Sequence, residues 1–366
     1  MSVKLPKIKG SIDYSLFVIP FLLTITGIAV LFSISPGSKF ILPINQMVYF
    51  VLGAGIALLF TIIDYRELKT IAVYLYIISL VLLVFLHFFG QEIFGATRWI
   101  DIKVFQLQPS ELMKMALLII ASSVLSMDFN DSPNPKKNLL ILLYFLVPVI
   151  FILQQPDLGT TLIIIFFLSA MYIFSNIKLK YFVVFLLVIS LLVPMGWHFL
   201  KPYQRLRITT FLDSGKDPLG SGYNATQSKI AVGSGEIMGK GFGNATQSQL
   251  NFLPVVHTDF IFASWSESTG FAGSTFMVLL YCILIWRILV ISRHSKDLFG
   301  SYLAIGIASI FFFQALVNIG MNVGVLPVTG IPLPFVSYGG TSYLVSSAII
   351  GIAQSINLRS QTIKFA

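Results

Sequence analysis

The sequence predicts an all-α, polytopic integral membrane protein, and three observations carry that expectation. Hydrophobic residues make up 56% of the 366-residue chain and charged residues only 11%, where a soluble domain carries about 25% charged residues. The mean hydropathy is +0.87. The apolar residues also fall in runs long enough to cross a bilayer. The formal net charge of +9 does not point to nucleic acid, because the Lys and Arg sit between apolar runs and not on a patch interleaved with aromatics. The only cysteine, Cys282, lies inside an apolar run, which excludes a disulfide within the chain and a Cys-based metal site.

A span needs about 20 apolar residues, and about ten stretches qualify: 13–35, 46–63, 70–90, 111–127, 138–154, 159–175, 181–199, 264–291, 300–323 and 341–357. Lys4, Lys7 and Lys9 precede the first stretch, and no small-residue cleavage pattern follows it, so it reads as a spanning helix and not as a signal peptide. Every connection expected inside carries a basic pair: Arg66 and Lys69, Lys136 and Lys137, Lys178 and Lys180, Arg293 and Lys296, Arg359 and Lys364. This positive-inside pattern places both termini in the cytoplasm and the long 203–263 segment outside. The chain then reads as one membrane domain, 1–366, with an extracytoplasmic catalytic loop at about 200–263, between spans seven and eight. Arg98, Lys103 and the basic residues of the long loop break the pattern, and cations kept outside suit an anionic ligand or lipid headgroup.

Between spans three and four, Gln108-Pro-Ser-Glu-Leu-Met-Lys114 looks like a helix start with Ser110 as cap. Glu111 and Lys114 are then neighbours on one face. They are either an ion pair that neutralises itself near the membrane boundary or part of a polar site, since ionisable groups in a span mark function by default. Asp157, in Gln154-Gln-Pro-Asp-Leu-Gly-Thr160, either caps span six or lines a polar cavity where two spans meet.

The long loop opens with Arg205 and Arg207 and continues through Lys229, a glycine series (Gly233, Gly235, Gly239, Gly241, Gly243) and Lys240. It is no Walker loop: Ser234 stands where the upstream glycine is needed, and Gly241 follows the Gly239-Lys240 pair where Ser or Thr is needed. Glycine backbone plus Lys240 still suits close approach to a diphosphate. The phrase Asn-Ala-Thr-Gln-Ser occurs at 224–228 and again at 244–248. Asp259 stands just before span eight, where it is either a helix cap or a reactive carboxylate. His257 is expected to be an ordinary loop histidine. After span nine, the prolines and glycines between Pro327 and Thr341 preclude a helix. Ser337 and Tyr338 in that stiff loop either line a groove for a headgroup or belong to a rigid re-entrant turn without a ligand.

These phrases resemble a family. Gly95-Ala-Thr-Arg-Trp-Ile, Gln108-Pro-Ser-Glu-Leu-Met-Lys, Gln155-Pro-Asp-Leu-Gly-Thr, the 222–262 segment and Pro334-Phe-Val-Ser-Tyr-Gly-Gly are similar to the motifs of the SEDS proteins (shape, elongation, division, sporulation) and come in the same order. Gly-Tyr-Asn-Ala-Thr-Gln-Ser-Lys-Ile-Ala and Pro-Val-Thr-Gly-Ile-Pro-Leu-Pro lie nearer the RodA branch than the FtsW branch. The resemblance implies a peptidoglycan glycosyltransferase of the bacterial inner (cytoplasmic) membrane that polymerises lipid II, with inversion, for cell-wall elongation and cell shape. It also implies a class B penicillin-binding protein as partner, an essential acid at Asp259, a charged pair at Glu111 and Lys114, and a further acid at Asp157. Two positions depart from the family pattern: Val255 and Ser268 stand where acids are common.

Such a transfer needs a carboxylate for the acceptor hydroxyl, cations for the departing diphosphate and a lipid-accessible groove. Asp259 supplies the first. Arg205, Arg207, Lys229 and Lys240 are the candidate cations, and Asp157, Ser337 and Tyr338 the candidate substrate contacts. No His/Cys/Asp cluster has metal-ligand spacing, and no organic cofactor is implied. Mg²⁺ or Mn²⁺ loosely bound with the diphosphate is compatible with these parts. Two other classes share the architecture: a flippase or transporter of lipid-linked precursor, which would carry paired broken helices and coupling acids deep in the bilayer, and a scaffold for a cell-wall synthase, which needs no acid in an outer loop.

Overall fold

The structure, a computed structural model, describes residues 11–35, 40–90, 98–101, 106–127, 135–155, 157–175, 205, 209–211, 221–250 and 252–360. The expected seventh span and Arg207 lie outside the described residues. The helices run α1 (Ser15–Ile34), α2 (Ile41–Ile62), α3 (Leu68–Phe89), α4 (Pro109–Ser126), α5 (Pro135–Gln154), α6 (Leu158–Ile173), α7 (Ser221–Ser234), α8 (Thr246–Gln249), α9 (Ile261–His294), α10 (Leu298–Val323) and α11 (Gly340–Ser360). A two-residue pairing of β1 (Ile100–Asp101) with β2 (Gln106–Leu107) precedes α4.

Hydrocarbon offers no partner for a free peptide group, so the apolar runs close their hydrogen bonds internally as helices. Among the described residues six helical stretches are long and apolar enough to cross a membrane: α1, α2, Tyr65–Phe89, α4, α9 and α10. In α4, 89% of the apolar window is buried, against 28% in α2 and in α3. Helix α4 is therefore an internal post, while α2 and α3 present Val51, Leu58, Ile78 and Val81 to lipid. The predicted tenth span exists as α11 but falls short of the apolar criterion. Its Ser346, Ser347, Gln354 and Ser355 are buried against the other helices, so it needs no lipid-compatible surface.

Two expectations change. Ser110 does not cap α4: Gln108 is the capping residue, without a side-chain bond, and Pro109 opens the helix. Proline has no N–H to leave unpaired at that position, which frees the Ser110 hydroxyl for another partner. The long outer loop is also not all loop, because it holds α7, a 14-residue helix packed on α9 and α10.

Helix α9 is 34 residues long, about 51 Å at 1.5 Å per residue, against a hydrocarbon thickness of about 30 Å. It divides at Gly270, where φ 68° and ψ −161° break the helix. The glycines after α7 fill the break. Lys240 N–H donates to the Glu267 carbonyl (2.9 Å) and Gly241 N–H to that of Ser268 (2.9 Å), while Phe271 and Ala272 N–H donate to the carbonyls of Glu236 (2.8 Å) and Ile237 (3.1 Å). A Cβ on Gly239 would lie 2.3 Å from the Ser268 carbonyl oxygen, and its φ is +79°. Glycine is the residue that tolerates both conditions. Two glycines of the series, Gly235 and Gly239, thus let a turn plug the broken helix.

Opposite that end, ion pairs tie the helix ends together: Arg287 Nε with Asp13 (2.9 Å), Arg66 with Asp297 (2.8 Å) and Arg359 with Asp64 (3.3 Å).

Candidate active site

The segment entering α9 is held by its main chain. Three successive carbonyls each accept hydrogen bonds from another element. That of His257 accepts from Tyr338 N–H (2.9 Å), and that of Thr258 accepts from the Ser337 hydroxyl (2.6 Å). The Asp259 carbonyl accepts from the amides of both Asn318 (3.1 Å) and Asn322 (3.0 Å) on α10. Ser337 Oγ in turn accepts from Leu333 N–H (2.8 Å), so its hydroxyl closes the proline-rich loop onto the Asp259 segment.

Asn322 does more than one job. Its Oδ1 accepts from Ala263 N–H (3.1 Å) in the first turn of α9, and its carbonyl accepts from the Ser228 hydroxyl on α7 (2.8 Å). One residue thus ties α7, α9 and α10 around Asp259. Asp259 itself is partly exposed, and it does not cap α9: the capping residue is Phe260, with no side-chain bond to the helix. The carboxylate is one residue too early for that role.

Aromatic rings surround the start of this segment. The Tyr338 ring lies 5.9 Å from the His257 ring and 5.9 Å from that of Tyr49, and its hydroxyl accepts from Asn45 Nδ2 at 3.3 Å. Burial pushes the His257 pKa below its ordinary value, against the opposing pull of the Asp259 charge. A depressed histidine is neutral at pH 7 and gains its charge only as pH falls through the lowered value. His257 therefore brings no cation to the neutral site.

The candidate cations are not equivalent. Lys229 is exposed and follows Ser228 on α7; its stem lies over Gly324, where α10 ends. Lys240 is committed elsewhere, with Nζ 3.2 Å from Glu267 Oε1. Arg205 is partly buried. Glu267 is fully buried, and its oxygens also accept from Gln247 N–H (3.0 Å), Ser248 N–H (3.1 Å) and Ser248 Oγ (2.8 Å). It caps α8 and fastens it to α9. The repeated Asn-Ala-Thr-Gln-Ser phrase thus serves twice, with Ser228 binding α10 and Ser248 binding Glu267.

The other predicted residues form two buried polar groups. Asp157 caps α6 through Thr160 N–H (3.2 Å), and it also accepts from Thr160 Oγ1 (2.8 Å), Ser110 Oγ (3.1 Å) and Gln108 Nε2 (3.1 Å). Arg98 NH1 lies 4.0 Å from it. Asp157 thus joins the starts of α4 and α6 in a filled hydrogen-bond shell. Glu111 and Lys114 pair at 2.7 Å with side chains 3% and 1% exposed.

Asn318 and Asn322 went unmarked in the sequence because they fall inside an apolar run. Their signal was present: with Gln314 they recur every fourth position, which puts three buried amides on one face of α10. Polar side chains in a span mark function more often than chance.

Among the described residues no three His, Cys, Asp or Glu side chains gather as a metal cage, and the Glu267 oxygens are taken by protein donors. A resident divalent ion does not fit this set; an ion carried on a diphosphate would need only one carboxylate from the chain.

The chain as a whole resembles known proteins. The family profile described as "Cell cycle protein", for FtsW, RodA and SpoVE, matches residues 12–362. The chain is similar to the peptidoglycan glycosyltransferase MrdB of Escherichia coli strain K12, with 41% identity over 289 residues covering 78% of this chain and 77% of MrdB. It is also similar to the stage V sporulation protein E of Bacillus subtilis strain 168, at 34% over 365 residues, covering 96% and 99%. Among solved structures, a chain from work on the coordination of polymerization and crosslinking by a peptidoglycan synthase complex superposes with a TM-score of 0.80 at 31% identity, covering 95% of this chain and 98% of that one. The rod shape determining protein RodA of Thermus thermophilus gives a TM-score of 0.70 at 27% identity, covering 96% and 99%.

Proposed function

We infer the function from one premise: the chain belongs to the FtsW/RodA/SpoVE family of cell cycle proteins, the SEDS family whose motifs it carries. It is a multi-pass membrane protein and a peptidoglycan glycosyltransferase. Within that activity we propose that it polymerises lipid II, with Asp259 as general base. The observation that supports this reading is the clamp on three successive carbonyls, which holds Asp259 in place while leaving its carboxylate uncommitted to capping the helix.

In the proposed step the acceptor sugar hydroxyl gives its proton to the Asp259 carboxylate. Its oxygen bonds to the donor's anomeric carbon from the face opposite the leaving group, so the configuration inverts. The bond from that carbon to the diphosphate oxygen breaks, and the electron pair leaves with the diphosphate. Lys229, one residue after the Ser228 that bonds Asn322, is assigned to meet that charge, with Arg205 and, by sequence, Arg207. Lys240 is assigned a lesser part because Glu267 already holds it. Ser337 acts through the clamp, and Tyr338 offers a ring to a sugar face. Asp157 shapes the outer end of the α4–α6 pair and contacts substrate only if its shell opens. Mg²⁺ or Mn²⁺ would arrive on the diphosphate and help neutralise it.

The family points to one membrane domain in the bacterial inner membrane, and the distribution of basic residues supports cytoplasmic termini with the Asp259 segment outside. A class B penicillin-binding protein is the proposed partner that cross-links the product. The test is to incubate the purified protein with labelled lipid II, alone and with that partner. Glycan chains are expected, and their absence under both conditions would remove the polymerase reading and favour a scaffold.

The clamp makes its own prediction. Asn318→Leu with Asn322→Leu removes two donors from the Asp259 carbonyl, and a displacement of about 1 Å at a reacting group costs up to about a hundredfold in rate. The expected result is a kcat at least tenfold lower, by order of magnitude, with KM nearly unchanged, since the pair touches no substrate. A raised KM with normal kcat would place these amides in substrate binding instead.

A further inference from the structure

We propose that the turn plugging the α9 break is also a membrane anchor: its tip, Ile237–Met238, inserts into the outer edge of the bilayer hydrocarbon on the side of Asp259. The proposal rests on the spans and not on the role of Asp259.

The tip is apolar and unburied, with Ile237 68% and Met238 81% exposed, and neighbouring Phe271 is 70% exposed. A water-facing turn rarely gathers three such side chains. Its position is fixed, because Glu236 and Ile237 carbonyls are bonded to Phe271 and Ala272 N–H. The depth of the tip is therefore that of residues 271–272 on α9.

That depth can be read along the helix. Phe271, Phe276, Leu279, Ile283, Trp286 and Leu289 are all exposed, and their spacing puts them on one lipid-facing stripe. Beyond it, Arg293 and His294 are exposed and polar and mark the far boundary. The 19 residues from Phe271 to Leu289 are separated by about 27 Å along the helix axis, just within a hydrocarbon thickness of about 30 Å. Ile237 and Met238 thus extend the stripe sideways at its outer end. The tip carries no charge, while Glu236 and Lys240 flank it where the chain returns toward headgroup level. The occupant that this continuity selects is lipid.

An anchored tip would set the height of the first half of α9. Glu267 and Ser268 are bonded to the same turn, and Asp259 lies just before that half-helix, so the anchor would hold the carboxylate at headgroup depth.

The test uses the full chain with Cys282→Ser, reconstituted in phosphatidylcholine–phosphatidylglycerol vesicles, with an environment-sensitive fluorophore on Met238→Cys. Phe276→Cys on the lipid-facing stripe and Lys296→Cys in the exposed α9–α10 connection serve as references. All three sites are exposed, so labelling leaves the packing intact. Lipids carrying a nitroxide near the headgroup end of the acyl chain then report contact. The expected result at 238 is blue-shifted emission and a loss of fluorescence comparable to that at 276. Emission and quenching matching position 296 would put the tip in water and overturn the anchor, leaving those side chains as a surface for a protein partner.

Discussion

Asp259→Asn is expected to leave the protein folded and in the membrane while lowering glycan polymerisation by a factor on the order of 10² or more. The main-chain clamp survives the change, because the Asp259 carbonyl bonded to Asn318 and Asn322 is kept by an asparagine. The loss falls on chemistry because an amide oxygen cannot take a proton at neutral pH. Asn also separates this reading from capping, since it caps helices as well as Asp does. Initial rates on lipid II with purified protein, beside the melting temperature in detergent, decide the matter. Near-normal chains from the variant would remove Asp259 as the base.

Glu111→Ala and Lys114→Ala are each expected to destabilise the protein by about 3–5 kcal/mol, the cost of leaving one member of a buried pair uncompensated. The pair is nearly solvent-free, 2.7 Å apart, and lies in the most enclosed of the six described helices long and apolar enough to cross a membrane. An exposed pair would contribute about 1 kcal/mol or less. The swap Glu111→Lys with Lys114→Glu should recover part of the loss, because it restores the attraction while disturbing the neighbours that fit each side chain. The measurement is chemical or thermal unfolding of the four forms in one detergent. Two small, additive single effects would show that water reaches the pair and that it holds nothing.

Some of the site was legible in the chain and some was not, for reasons tied to particular residues. Asp259 stood out because it ends the long polar segment that interrupts an otherwise apolar chain. Glu111 and Lys114 stood out because charges inside a span need a partner, and helical spacing offered one. Lys240 read as a cation for a diphosphate, yet in the fold it is bonded to Glu267, 27 positions away in sequence. No periodicity links such a pair. The glycine series invited a phosphate reading, because a glycine that admits a phosphate and one that admits a carbonyl look alike in sequence. Ser110 looked like a cap from its neighbours, and only the approach of Asp157 from α6 shows what its hydroxyl binds.

The sequence by itself determined that the chain lives in a membrane and where most of its helices begin and end. These properties are local: they follow from the transfer energy of about 20 consecutive side chains and from charges flanking them. Tertiary structure alone decided which polar groups are committed and which are available. It gave Glu267 to α8, closed Ser337 onto Thr258, and brought two amides of α10 to the Asp259 carbonyl. A hydrogen bond depends on positions within about 3 Å, and residues dozens of places apart reach that distance only after the helices have packed.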